Sequence, residues 1–212
     1  MLNDVITIEK KHTNAALTLF DRVLRERKPK YIVTISGEVG TGKCEIAHEL
    51  GRLLIEKGIR VKLLHMDNYY FISPLERHEW RIKNGLDKIG YDEYDWNYVN
   101  ENIDDFRMDR KSIVPVVDLF TQKVDKLHTD FKGIEVLIIE GLYSIKINQS
   151  DLRVFIELTY EDTWEEQAFT HKEILDDFRL DVLKHEHKAV QSLKPLADFY
   201  IDFDTAGEIF HL

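Results

Sequence analysis

The stretch Tyr31-Ile-Val-Thr-Ile-Ser36-Gly37-Glu38-Val39-Gly40-Thr41-Gly42-Lys43-Cys44 settles how the rest of the chain is read. Six residues rich in β-branched side chains are stopped by Gly37, and after Lys43 the apolar residues Ile46, Leu50, Leu53 and Leu54 recur at helical spacing. The order is strand, glycine loop, helix. Residues 37–44 follow the pattern G-x-x-x-x-G-K-[ST] at every fixed position except the last. In that pattern the glycines let main-chain amides turn inward on a polyphosphate, and the lysine reaches the β and γ phosphates. The flanking strand and helix separate the motif from an ordinary glycine-rich turn. The expected nucleotide contacts are Gly37, Val39, Gly40, Thr41, Gly42, Lys43, Cys44 and Glu45.

Cys44 is the departure. That position normally gives a hydroxyl to Mg²⁺, a hard ion that prefers oxygen to sulfur. Thr41 or water is left to supply the oxygen, and Cys44 itself reads either as a small residue packed under the loop or as a redox-active thiol.

Outward from the loop, residues 13–27 space Ala16, Leu17, Phe20, Val23 and Leu24 as an amphipathic helix, ended by Lys28-Pro29-Lys30. Strand character recurs at 61–65, 113–117, 135–140, 154–158 and 199–203, with helical or mixed segments at 74–83, 97–109 and 161–193. Several of the strands are apolar almost throughout, as in a parallel sheet covered on both faces. The alternation predicts an α/β three-layer sandwich with a mainly parallel five-stranded sheet and helices on both faces.

The chain has 212 residues, 43% hydrophobic and 32% charged, with 10 Gly and 4 Pro, which suits one globular domain spanning 1–212, its first 30 residues a helical extension. A net charge of −10 argues against nucleic acid as a partner, whose affinity rests on Lys and Arg neutralising phosphates. It does not argue against ATP, because a glycine loop makes its own positive field from N–H groups. One cysteine excludes an internal disulfide, and no apolar run approaches the ~18–20 residues that span a bilayer, so the expected location is the cytoplasm, away from membranes. Whether the chain forms a homo-oligomer is left open.

Five further segments fall in order along the chain: Asp67-Asn68-Tyr69-Tyr70, Tyr94-Asp95-Trp96-Asn97, Val114-Pro115-Val116-Val117-Asp118, Ile138-Ile139-Glu140-Gly141-Leu142 and Leu196-Ala197-Asp198-Phe199-Tyr200-Ile201. With the glycine loop they resemble the uridine kinase and phosphoribulokinase family of P-loop kinases, in register over about 31–203. The corresponding family elements are Asp-x-Phe-Tyr, Phe-Asp-His-Pro, Ile-Pro-x-Tyr-Asp, Glu-Gly-Ile-Leu and Tyr-Ala-Asp-x-Ile-Ile. The resemblance implies a P-loop kinase fold, ATP and Mg²⁺ as cofactors, and a nucleotide and a small hydroxylated acceptor as partners.

A kinase of small hydroxyl compounds needs a base near the acceptor and a carboxylate near the metal. Asp67 and Glu140 each follow an apolar strand, at the edge where open parallel sheets gather their ligands. Asp67 is expected as base and metal partner, and Glu140 as an outer-sphere metal partner; the alternative for both is an acidic cap on the next turn. Asp95 and Asp118 read equally as acceptor-binding carboxylates and as turn residues. Tyr69, Tyr70, Tyr94 and Trp96 read as stacking surfaces for a base or as core. Arg81, Lys83 and Lys88 either draw in an anionic acceptor or form a solvated face.

The family's Arg-Arg-x-x-Arg-Asp lid is replaced here by Asp162-Thr-Trp-Glu-Glu-Gln167-Ala168-Phe-Thr-His171-Lys172, so 160–195 is expected to be a degenerate lid plus a C-terminal helix. His171, Lys172 and Arg179 are the lid candidates. The nucleoside-contacting Tyr and His of the family stand as Val117 and Trp96, which disfavours uridine as acceptor. Two functions follow: an ATP-dependent small-molecule phosphotransferase, or a degenerate nucleotide-binding regulatory module. A GTPase or motor is disfavoured by the lack of Asn-Lys-x-Asp and Leu-Ser-Gly-Gly-Gln. His185-Glu-His187 is expected to be a solvated helix segment, since residues two apart do not share a helix face.

Overall fold

The structure, a computed structural model, describes residues 5–121, 123–164 and 176–203. Five strands form one parallel sheet: β1 (Tyr31–Ser36), β2 (Val61–His65), β5 (Val136–Glu140), β6 (Leu152–Ile156) and β7 (Phe199–Ile201), in the order β2-β5-β1-β6-β7. All six residues of β1 and all five of β5 are buried, which is why their sequences run apolar without alternation. Successive side chains still go to opposite faces. Val33, Ile35, Ile138, Val154 and Ile156 meet α1 (Lys10–Glu26) and α2 (Lys43–Glu56) on one face. Ile32, Leu137, Ile139 and Phe155 meet α4 (Trp96–Arg107) and α5 (Asp177–Leu193) on the other. The fold is the three-layer α/β sandwich expected from the sequence.

The expected helix at 13–27 is α1, whose buried stripe of His12, Ala15, Ala16, Leu19 and Val23 packs against α2. α3 (Pro74–Asn84) begins with its proline in the first turn, where no intrahelical N–H is needed. Among the described residues, no helix is long and apolar enough to cross a membrane.

One expectation is corrected. The segment at 113–117 is not a strand of the parallel sheet; it belongs to β3 (Lys111–Asp118), which pairs antiparallel with β4 (Lys123–Asp130) in a separate two-stranded ribbon. Pro115 fits there because both strands of such a ribbon are edges and need not donate on their outer side. β4 had no clear signal, since Lys-Val-Asp-Lys-Leu-His-Thr-Asp is almost wholly exposed. The ribbon is held to the body by Val114, buried in the core, and by polar contacts: Val117 N donates to Asn68 Oδ1 at 3.0 Å, and Asn102 Nδ2 to Ile113 O at 2.9 Å. The segment expected to be helical or mixed at 161–193 opens with a turn at 161–163 and ends in α5, capped by Asp176, whose carboxylate accepts from Arg179 N at 2.7 Å; residues 165–175 of it lie outside the described residues.

Candidate active site

β1 delivers the chain to the glycine loop at the carboxyl edge of the sheet. Gly40 and Gly42 have φ of 78° and 85°, in the left-handed region that a side chain disfavours. Gly42 is also the residue before α2, and a Cβ on it would lie 2.7 Å from His12 Nε2 of α1, so the motif's last glycine is required twice over. Thr41 Oγ1 and Lys43 Nζ both donate to Glu38 O, at 2.9 and 2.5 Å, which folds the lysine back over the loop. Thr41 is thereby buried in loop-closing work. No side chain caps the start of α2, so its first amides remain donors for an anion.

Glu38, a variable position of the motif, is 2% exposed and ties the loop to distant elements. Its carboxylate accepts from Tyr160 N at 2.8 Å, from Gln191 Nε2 at 2.6 Å and from His187 Nδ1 at 2.8 Å. Thr163 Oγ1 adds a bond to Val39 O at 2.7 Å. His187 is therefore a brace between α5 and the loop, not part of a solvated segment as expected. The buried Glu186 beside it is likewise engaged.

At the same edge β2 ends in His65 and β5 in Glu140, register partners on adjacent strands. His65 Nδ1 donates to Glu140 Oε1 at 2.7 Å, and the Cys44 sulfur lies 3.8 Å from that same nitrogen. Their ligand atoms all fall within 4.8 Å of one another. His48, one turn along α2 from Cys44, stacks on His65 with centroids 5.6 Å apart, and burial, aided by His65, holds its pKa below the usual imidazole value. Sulfur and imidazole nitrogen do not suit Mg²⁺, so the position that gives Mg²⁺ a hydroxyl in related loops does not fit that ion here. Glu140, the expected outer-sphere metal partner, accepts the hydrogen bond from His65. Asp67 lies two residues beyond His65, in the 3₁₀ turn Met66–Tyr69, half-buried at the same edge.

The residues expected on the acceptor side are largely engaged in structural contacts. Tyr94 Oη donates to Tyr70 Oη at 2.5 Å, and the Arg77 guanidinium sits 3.5 Å over the Tyr70 ring. Burial pushes both phenols well up, so they remain protonated donors. Tyr69 and Tyr94 are core residues, and Trp96 Nε1 donates to Tyr91 O at 2.7 Å. Asp95 caps α4, accepting from Tyr98 N at 3.0 Å. Asp118 accepts from Phe120 N at 2.9 Å and closes the β3–β4 turn. Arg81 is neither a surface charge nor an approach for an anion: 3% exposed, it grips Glu93 at 2.8 and 3.0 Å and Glu186 at 3.0 Å. Arg179, one of the lid candidates, is turned inward on Glu186 at 3.4 Å. His171 and Lys172 lie outside the described residues.

Sequence reading missed Glu38, His65 and His48. His65 had a usable signal, since it ends an apolar strand as Glu140 does. Its pairing with Glu140 needed the β2–β5 register.

The sequence profile of the Phosphoribulokinase / Uridine kinase family matches residues 32–168. A uridine kinase of Ureaplasma urealyticum serovar 10 is 32% identical over 139 residues, covering 61% of this chain and 63% of that protein. The chain thus spans somewhat less than two thirds of that relative. A uridine kinase of Staphylococcus aureus strain JH9 is 26% identical over 189 residues, covering 82% and 88%. Among solved structures, a possible uridine kinase from Bacillus stearothermophilus superposes with a TM-score of 0.64 at 17% identity, covering 89% of this chain and 98% of that one.

Proposed function

The chain belongs to the Phosphoribulokinase / Uridine kinase family, and on that premise we propose that residues 1–212 act as one unit transferring the γ-phosphoryl group of ATP to a hydroxyl of a small molecule. The observation that carries this reading is Lys43 at the head of α2, beside a loop whose glycines adopt left-handed φ. Lys43 and the loop amides hold the triphosphate and neutralise charge as the bond from Pγ to the bridging oxygen breaks and ADP leaves. Asp67 accepts the proton of the acceptor hydroxyl as its oxygen bonds to Pγ. Asp95, Trp96 and Asp118 line the acceptor side, and Tyr70 offers its phenol there. Relatives named uridine kinase put uridine first in the acceptor panel, while Val117 and Trp96 favour a different hydroxyl compound.

The test is transfer from γ-labelled ATP to nucleosides, sugars and sugar acids, with acceptor-dependent product expected. Absence of transfer to every acceptor at high enzyme concentration sinks the proposal. A second reading, a nucleotide-binding regulatory module, is favoured by Cys44 in the hydroxyl position and by Arg179 buried on Glu186. It expects ATP binding without turnover, and Mg²⁺-dependent turnover restored by Cys44→Ser would count against it.

A further inference from the structure

We propose that Cys44, His65 and Glu140 form a binding site for a borderline-soft divalent cation of the Zn²⁺ or Co²⁺ type. A thiolate, an imidazole nitrogen and a carboxylate are the donors such ions take, and thiolate plus carboxylate balance a dication. The spacing fits. Tetrahedral coordination at ordinary Zn²⁺ bond lengths puts S and N about 3.6 Å apart and N and O about 3.4 Å apart. Here Sγ–Nδ1 is 3.8 Å and Nδ1–Oε1 is 2.7 Å, so a closing of about 0.2 Å at the thiolate and an opening of about 0.7 Å at the carboxylate, within reach of a side-chain rotation, admit an ion.

The geometry also discriminates between uses of these three residue types. A nucleophile relay would put the thiol on one ring nitrogen of His65 and the carboxylate on the other. Both face Nδ1 instead, as donors around a single point do. The frame is rigid: His65 and Glu140 are paired in register at the ends of β2 and β5, and Cys44 sits in the first turn of α2. His48, stacked on His65, restricts the ring on one face. Three protein donors leave one tetrahedral position for water or for a phosphate oxygen of a nucleotide held beside Lys43. The site stands on this geometry alone and does not depend on phosphotransfer.

Cys44 is the chain's single cysteine, so any thiolate-to-cobalt charge-transfer band must come from it. The full chain, stripped with chelator, is titrated with Co²⁺. The expected result is a near-ultraviolet charge-transfer band saturating at one equivalent, displaced by Zn²⁺ and unaffected by millimolar Mg²⁺. Cys44→Ser removes the band. His65→Asn weakens Zn²⁺ binding by at least the ~10–100-fold that loss of an outer-shell partner alone costs. His128→Asn, on the exposed face of β4, leaves affinity unchanged. No charge-transfer band at excess Co²⁺, or one indifferent to His65→Asn, overturns the proposal. A variant-free check is the reaction of Cys44 with a disulfide reagent: Zn²⁺ should slow it at least tenfold, and an unchanged rate also overturns the site.

Discussion

Gly42 carries two constraints at one atom, and they can be separated. At φ 85° an alanine costs about 1–2 kcal/mol of backbone strain, and its methyl also collides with His12. Gly42→Ala should lower the urea midpoint, and Gly42→Ala with His12→Ala should destabilise less than the sum of the single changes, by about 0.5–3 kcal/mol of coupling. Additive losses would show that the contact is relaxed in solution. His12 itself is held neutral: burial lowers its pKa, outweighing the opposing pull of Glu45. The unfolded state therefore binds more protons between the lowered native pKa and the ordinary value of about 6.5, so stability rises with pH across that window and is level above it. Urea midpoints taken from about pH 5 to pH 8 should show this slope, and His12→Gln should flatten it.

Elements are joined here by charges removed from water. Arg81 of α3 lies between Glu93, in the turn before α4, and Glu186 of α5, with Arg179 on the far side of Glu186; Arg81, Glu93 and Glu186 are 3% exposed and Arg179 is 6%. Removing one partner from a buried network leaves the others uncompensated, so Arg81→Met should cost about 3–5 kcal/mol in chemical denaturation. Arg81→Lys should recover only part of this, because an ammonium cannot hold the carboxylate of Glu93 in two bonds. A loss below ~1 kcal/mol for Arg81→Met would show that water reaches the network. The same α5 braces the glycine loop through His187, Gln191 and Glu38, so this helix and the loop are mechanically one unit.

At the scale of the whole molecule, the sheet brings the ends of β1, β2 and β5 to one edge and sets Lys43, His65, Asp67 and Glu140 around it. A ligand that binds only the native state raises its stability, by about 2.7 kcal/mol at a hundred times its dissociation constant. ATP at saturating concentration should therefore raise the melting temperature, and Lys43→Ala should abolish most of the shift while the fold persists; an equal shift in both proteins would place the nucleotide elsewhere.

Local pattern was enough for the strand, glycine loop and helix of residues 31–56, for the buried strands around it, and for the strand-end acids Asp67 and Glu140, because periodicity and turn chemistry are short-range properties. The sequence also showed Cys44 where a hydroxyl belongs. It did not show that β3 leaves the sheet to pair with β4, since the exposed, polar β4 has no apolar signature. Nor did it show that Glu38 reaches α5, that Arg81 is buried, or that His65 stands between Cys44 and Glu140. Those contacts join residues from 12 to 153 positions apart and exist only once strand register and helix docking are fixed, which no local pattern encodes.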